Sequence, residues 1–378
     1  MDKAFYNSNF KLGILGGGQL GRMFIQEAIN YNASVHILDP SELAPCKDIA
    51  TSFTQGDLMD YSTVVSFGQN LDLLTIEIEH VNVDALETLE KEGVEVYPQS
   101  HILRMIQDKG TQKEFYKEHS IPTAPFILSD SFDYNIELPV VQKLRKGGYD
   151  GKGVQILRDK KDVTHGFHEP SVFEDLIDFE KELSVIVARN TKGQVKTFPV
   201  VELEFNPEAN LVEYLFSPAA ISQEVERKAQ DLATQVAEST KVVGLLAVEM
   251  FLTKDGEVMV NEIAPRPHNS GHQTIEGNIT SQFEQHLRAI TGMPLGDTSI
   301  LAPSVMVNLL GEKDHTGEAF VEGLEEVMAI SGATVHLYGK WKTKPYRKMG
   351  HVTVVDKELE SAKEKAKKIK DTLKIKTR

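Results

Sequence analysis

Lys143-Leu144-Arg145-Lys146-Gly147-Gly148-Tyr149-Asp150-Gly151-Lys152-Gly153 is the stretch on which the fold turns. It follows the apolar run Pro139 to Gln142 and precedes the β-like Val154 to Leu157, so it reads as a loop between two strands. Four glycines in the seven residues from Gly147 to Gly153 leave the backbone exposed and adaptable. Such a loop can lay successive N–H groups over a polyphosphate, while Lys143 on the preceding strand adds a point charge. The ending of a P-loop is missing and no helix follows. A plain hairpin turn is the competing reading, and the glycine density with two flanking lysines disfavours it.

Downstream, Asp255-Gly256 centres a predicted hairpin between Ala247 to Leu252 and Glu257 to Glu262. If the turn is symmetric about that centre, Glu249 and Glu262 face each other and point to one side. Like charges directly opposed destabilise a sheet unless a cation sits between them. Magnesium held by two carboxylates and nucleotide phosphates answers that problem, with Asn261 as an adjacent oxygen ligand. A register one residue off would separate the pair. Ala264-Pro265-Arg266-Pro267-His268-Asn269-Ser270-Gly271-His272 follows, a loop crowded with hydrogen-bonding groups, and its Pro267 and Gly271 argue against a helix joining the two histidines in a metal site. Near the end, Lys340, Lys344, Arg347, Lys348 and His351 flank the β-like Val352 to Val355 as either a phosphate site or a solvated basic face.

Upstream, Lys11 to about Gln107 alternates short apolar runs with helical patterns: Lys11 to Leu15, a helix from Leu20 to Tyr31, Ser34 to Asp39, Leu73 to Glu77, a helix from Asn82 to Glu92, and Glu95 to Tyr97. This alternation predicts a parallel α/β sheet. Gly16-Gly17-Gly18-Gln19-Leu20-Gly21 fits the dinucleotide pattern between a strand and a helix, with Asp39 ending the next strand. The glycines by themselves support a phosphate-bearing ligand or a tight turn with none. After Asp108 come a helix, the Ile121-Pro122 break and a small α+β region; from about Glu182, strands, a helix from Gln223 to Val243 and the hairpin predict an antiparallel sheet covered by helices. The boundaries expected are 1–107, 108–181 and 182–378.

Composition narrows the field. A length of 378 residues predicts several domains, and 40% hydrophobic content without a membrane-length apolar run predicts a soluble chain. Met1 to Phe10 has no apolar run, which makes a cytoplasmic address the default. The single cysteine, Cys46, excludes an intramolecular disulfide and a thiolate zinc cluster. Net charge of −15 argues against nonspecific nucleic-acid binding. The lysine-rich tail from Lys357 to Arg378 carries Leu359, Ala362, Ala366, Ile369 and Leu373 at helical spacing and reads as a packed surface helix rather than a nucleic-acid or membrane anchor.

In this order, Gly13 to Met23, Glu77-Ile78-Glu79-His80, Gly147 to Gly153, Asn261 to His272, Ser281-Gln282-Phe283-Glu284 and Arg347-Lys348-Met349-Gly350-His351 resemble the N5-carboxyaminoimidazole ribonucleotide synthetase family of ATP-grasp ligases. The resemblance runs from about residue 11 to residue 355. It implies an ATP-grasp fold, α/β and α+β, behind a Rossmann-like N-terminal domain of the biotin-carboxylase type. It also implies ATP, magnesium, bicarbonate and aminoimidazole ribonucleotide as ligands, a homodimer, and no nucleic-acid or membrane partner.

By matched position, Lys143, the loop residues Gly148, Tyr149, Asp150, Gly151, Lys152, Gly153 and Val154, and Asn261 should serve ATP; Glu174, Ile177 and Glu182 should hold adenine and ribose; and Glu249 and Glu262 should bind magnesium. Gly18, Gln19, Leu20, Glu79 and His80 should face the aminoimidazole or its ribose, with Lys340, Arg347 and Lys348 toward the 5′-phosphate. Arg266, His268 and Asn269 should sit near bicarbonate, and Arg266, Tyr149, Asp150, Lys152 and Lys340 form the expected catalytic set. Two ATP-site positions depart from the family pattern: Lys109 stands where arginine is usual, and Phe205 where a polar residue is expected. A nicotinamide-dependent dehydrogenase, another ATP-grasp ligase such as a formate-dependent glycinamide ribonucleotide transformylase, and a non-catalytic nucleotide binder are the alternatives.

Overall fold

The structure, a computed structural model, describes residues 4–7, 9–131, 136–148, 153–206 and 211–378, and among them the longer strands form four sheets. The first is built from β1 (Lys11–Leu15), β2 (Ser34–Asp39), β3 (Ser52–Gln55), β4 (Leu73–Ile76) and β5 (Glu95–Val96), with α1 (Gln19–Asn30), α2 (Tyr61–Gly68) and α3 (Val83–Lys91) between them. All its pairings are parallel, in the order β3-β2-β1-β4-β5. The alternation of the sequence predicts most of these elements but neither β3 nor α2. The polar Ser-Phe-Thr-Gln of β3 lies on the sheet edge, and α2 buries only Val64 and Gly68, so neither carries an apolar pattern.

Helices α4 (Ser100–Ile106) and α5 (Lys109–Glu118) lead to an antiparallel lid sheet of β6 (Phe126–Ser129), β7 (Val140–Leu144), β8 (Val154–Leu157) and β9 (Ser171–Asp175), ordered β6-β9-β7-β8. The start of α5 is fixed by Asp108, whose carboxylate accepts the Gly110 and Thr111 N–H groups and a bidentate pair from Arg145 at 2.9 Å per arm. One aspartate therefore ties the helix to the chain end of β7.

The remaining elements are β10 (Phe179–Arg189), β11 (Val195–Thr197), β12 (Val201–Asn206), β13 (Leu211–Ser217), α6 (Gln223–Thr240), β14 (Gly244–Thr253), β15 (Val258–Ala264), α7 (Thr274–Gly277), α8 (Gln282–Ile290), β16 (Ser304–Leu310), β17 (Gly317–Glu322), α9 (Leu324–Met328), β18 (Ala333–Leu337), β19 (Lys342–Thr343), β20 (Lys348–Val355), α10 (Leu359–Thr372) and β21 (Lys374–Thr377). Nine of them form one sheet in the order β15-β14-β10-β12-β13-β16-β20-β18, with β11 beside β10. Apolar residues of α6 (Ala229, Ala233, Val236, Ala237) cover β10 and β14. The tail helix α10 buries Ala362, Ala366 and Ile369 against β16 and β20, and the basic tail ends in the unpredicted strand β21. Among the described residues no helix is long and apolar enough to cross a membrane.

The N-terminal sheet does not stand apart. Phe283, Leu287 and Ile290 of α8, with Tyr338, share one core with Leu12, Ile14 and Phe24. Fully burying each such side chain contributes about 1.5–3 kcal/mol. Tyr31 and Arg288 both bond Glu284 at the same seam. His286 is buried there with Nε2 3.0 Å from Thr75 Oγ1, and burial pushes its imidazole down to about 3. The unfolded ring titrates near its ordinary value, so this group contributes stability above about pH 6.5 that is lost as pH falls toward its folded value. Denaturation midpoints from pH 7.5 to 4.5 should therefore show a steeper acid loss in the parent than in His286→Gln, by up to about 1.4 kcal/mol per pH unit, and equal slopes would remove His286 from this account.

Candidate active site

The hairpin of β14 and β15 brings Glu249 directly opposite Glu262, as expected, but not by the symmetric turn the sequence suggests. Next to the turn the pairs are Leu252–Val258, Phe251–Met259 and Met250–Val260, a register that would set Glu249 against Asn261. A bulge between Glu249 and Met250 shifts the pairing at Asn261 and restores Glu249–Glu262. The two carboxylates thus share a face of the central sheet, along with Glu182 and Ser184 of β10.

Cations converge on that face from three elements. Lys109, in the first turn of α5, donates to Glu262 Oε2 at 2.8 Å, and Lys143 of β7 donates to Asn261 Oδ1 at 2.8 Å. His268 Nε2 lies 3.7 Å from Glu249 Oε1, and its Nδ1 is 2.9 Å from Ser270 Oγ. Arg266 Nε pairs with Glu79 Oε1 at 2.9 Å, joining the central sheet to the N-terminal domain. The carboxylates differ in surroundings: Glu249 is 15% exposed and Glu262 44%. Burial and the neighbouring Glu262 raise Glu249 above the usual carboxylate range, whereas Lys109 holds Glu262 below it. Burial also pushes Glu182 up to about 7, with Lys143 opposing.

Two facing carboxylates beside an amide oxygen suit a hard octahedral cation that keeps phosphate and water ligands. Among the described residues no group of three or more His, Cys, Asp or Glu could hold a metal alone, so an ion between these two carboxylates would take its further oxygen ligands from water or a ligand. The cation beside Glu262 in this structure is the Lys109 ammonium.

In the first glycine loop, side-chain carboxylates meet the backbone donors. Gly18 N–H and Gly21 N–H donate to the two oxygens of Glu77 at 2.5 and 2.8 Å, and Gly17 N–H donates to Asp39 Oδ2 at 2.7 Å. Three of the loop's donors are thereby taken by the chain's own carboxylates rather than offered to a pyrophosphate. Gly16 takes φ +99°, and a Cβ there or on Gly18 would strike Glu77, so the glycines are explained by this carboxylate's approach. Sequence reasoning gave Glu77 no role; its signal is its place just past the carboxyl end of β4, where parallel sheets gather their ligands.

Several expected residues are placed differently. The Leu20 side chain is buried in the core with Leu12, Ile14 and Phe24. Glu174, expected at adenine, is 3% exposed and held between Lys113 and Lys143. Asn269 exchanges reciprocal amide bonds with Asn308, at 2.9 and 2.7 Å, instead of pointing at open solvent. His351, counted in the basic cluster, is fully buried, stacked on His336, and kept neutral by burial. A single 3-10 turn at Asn269–Gly271 separates His268 from the buried His272.

Others lie around the cleft. Gly148, Gly153 and Val154 flank the lid loop, with Val154 paired to Lys143, while Tyr149, Asp150, Gly151 and Lys152 lie outside the described residues. Ile177 is half-buried between β9 and β10, and Phe205 packs beside the Leu203 cluster. Gln19 opens α1 and His80 is exposed. Lys340 donates to Lys348 O at 2.6 Å and eases the charge of Glu77, while Arg347 donates to Lys342 O. Lys348 in turn lowers the cost of charging Glu249. The basic segment, the Glu77 loop and the carboxylate pair are therefore electrostatic neighbours.

Comparison with known proteins follows this geometry. Residues 10–107 match the ribonucleotide synthetase preATP-grasp domain, residues 114–283 the ATP-grasp domain, and residues 304–365 the phosphoribosylaminoimidazole carboxylase C-terminal domain. The chain is 37% identical to N5-carboxyaminoimidazole ribonucleotide synthase of Bacillus subtilis over 93% of each chain. It is 39% identical to the chloroplastic phosphoribosylaminoimidazole carboxylase of Vigna aconitifolia, covering 93% of this chain but spanning only 65% of that longer relative. Among solved structures, N5-carboxyaminoimidazole ribonucleotide synthetase from Thermotoga maritima superposes with a TM-score of 0.91 at 43% identity, covering 98% and 100% of the two chains. The Aspergillus clavatus synthase, solved with ADP and 5-aminoimidazole ribonucleotide, gives 0.88 at 32% identity over 97% and 98%.

The Glu77 clasp has a measurable consequence. Glu77→Gln turns one acceptor into a donor facing a backbone N–H, so urea unfolding should show a loss of about 1–3 kcal/mol. A loss no larger than that of the exposed Glu364→Gln would contradict the clasp.

Proposed function

The chain belongs to the N5-carboxyaminoimidazole ribonucleotide synthase family, and on that premise we infer that it carboxylates the exocyclic amine of 5-aminoimidazole ribonucleotide with bicarbonate and ATP, a step of purine biosynthesis. The observation that carries the site reading is the opposed pair Glu249 and Glu262 with Lys109 on Glu262, His268 beside Glu249 and Lys143 on the neighbouring Asn261, between the lid sheet and the central sheet.

Bicarbonate is a poor electrophile until one of its oxygens carries a leaving group. In the proposed sequence that oxygen takes the terminal phosphoryl group of ATP and ADP departs; the amine nitrogen then attacks the carboxyl carbon, phosphate leaves, and the nitrogen gives up a proton. Lys143 faces the phosphates and offsets the charge that moves during transfer. Magnesium, held by Glu249 and Glu262, supplies further charge neutralisation at the phosphate oxygens when bound. Arg266, oriented by Glu79, holds the bicarbonate oxygens, and His268 stands beside it. Because Glu77 and Asp39 take the N–H groups of Gly17, Gly18 and Gly21, the ribonucleotide's 5′-phosphate is assigned to Lys340, Arg347 and Lys348, with Gln19 left to meet the ring or ribose. The glycine-rich lid loop excludes water, which would otherwise destroy the phosphorylated intermediate.

One rival reading is weakened by the geometry and another is separated by its substrate. A dehydrogenase needs the loop's N–H groups for a pyrophosphate, and those of Gly18 and Gly21 donate to Glu77. Another ATP-grasp ligase would share the cation cluster and differ in the amine accepted. In a test by ADP release with magnesium and bicarbonate, 5-aminoimidazole ribonucleotide should stimulate turnover strongly, and Glu262→Gln should cut kcat by about 100-fold or more. Release indifferent to the ribonucleotide would overturn the substrate assignment, and an unimpaired Glu262→Gln would overturn the site.

A further inference from the structure

Lys113 is absent from every role assigned above, yet it is a 3% exposed lysine at the centre of the site's buried charges. It lies one turn beyond Lys109 on α5, which puts both ammonium groups on one side of the helix. Its Nζ donates to Thr123 Oγ1 at 2.6 Å, and Thr123 Oγ1 donates to Val260 O on the strand that carries Asn261 and Glu262. The same Nζ is 3.1 Å from Glu174 Oε1, while the other oxygen of Glu174 is 3.0 Å from Lys143 Nζ. Glu174 is thus a buried anion shared by two lysines, only one of which goes on to reach Asn261.

We propose that Lys113 is a positioning residue for the nucleotide: it balances the Glu174 carboxylate, so that Glu174 anchors Lys143 without cancelling the charge Lys143 presents to the phosphates. This rests on the ATP site proposed above. With one lysine only, the carboxylate and Lys143 form a closed neutral pair, and a closed pair has little field left for a polyphosphate. With two, the trio carries a net positive charge, and the lysine nearer the cleft is the one that displays it. The deep burial of Lys113 fits this division: it has no path to the ligand, so its influence passes through Glu174. Burial also draws its ammonium down to about 8 against the pull of Glu174, the mark of a cation held in a dry site by its partner.

The consequence is a coupling that a scaffold role does not produce. Removing Lys113 alone leaves Glu174 to neutralise Lys143, whereas removing both buried charges leaves Lys143 unopposed. ADP affinity in magnesium, measured calorimetrically on the whole protein, should fall about tenfold in Lys113→Met and return to within about threefold of the parent in Lys113→Met/Glu174→Gln. Unchanged affinity in Lys113→Met, or a double variant weaker than the single one, overturns the proposal. Should Lys113→Met fail to fold, Glu174→Gln against the double variant decides it: once the carboxylate is gone, losing Lys113 should change affinity less than about threefold, and a tenfold loss there contradicts the coupling. A parent protein that does not bind ADP overturns the nucleotide reading itself, and this inference with it.

Discussion

Two carboxylates set face to face on a sheet repel each other, and much of this molecule is arranged around the need to hold Glu249 and Glu262 there. Two charges about 4 Å apart interact by about 4 kcal/mol at an effective dielectric of 20, which is a large share of a domain's net stability. The repulsion is relieved locally by making the two environments unequal. Glu249 sits in the drier position and holds its proton more tightly, while Glu262 takes the Lys109 ammonium. Lys109 comes from α5, whose start is clamped to the lid sheet by Asp108 and Arg145, so the carboxylates recruit the lid as well as neutralising charge.

The same logic recurs on a second carboxylate. Glu77 draws together Gly18 and Gly21; burial raises it above the usual carboxylate range, and those two N–H groups and the charge of Lys340 from the C-terminal segment oppose that rise. Both anions therefore lie where separate parts of the chain meet, and each is matched by groups from a different part. The apolar seam of α8, Tyr338 and the first sheet holds those parts close enough for the matching to work. Stability and chemistry are supplied by different atoms of the same interface.

How much of this was legible in the sequence depended on whether a residue's role was local. Strands and helices with apolar periodicity were readable, while β3 and α2, which bury little, were not. The turn at Asp255-Gly256 was readable as a hairpin centre. Its register came out correct only because a bulge at Asn261 offset an asymmetric turn, and nothing in the residue order announces a bulge. Lys143 and Arg266 were marked by glycine-rich or proline-rich neighbours and Glu262 by the hairpin, whereas Lys109 came only from the family pattern. Lys113 was not, although its spacing from Lys109 was a usable clue. Glu77 escaped because its partners lie 56 and 59 residues away, and Glu174 was expected at adenine rather than between two lysines because those lysines lie on other elements. His351 and Asn269 looked like ligands in the sequence and are buried in the fold, since sequence shows which groups can bond but not which side of a strand faces the core.

The central claim is that Glu249 and Glu262 are held opposite each other to receive a divalent cation carried by nucleotide phosphates. The most direct measurement is calorimetric ADP binding across a magnesium series in the parent and in Glu262→Gln. The account predicts that parent affinity climbs with magnesium while the Glu262→Gln affinity stays nearly flat; the same steep magnesium dependence in both proteins would contradict it.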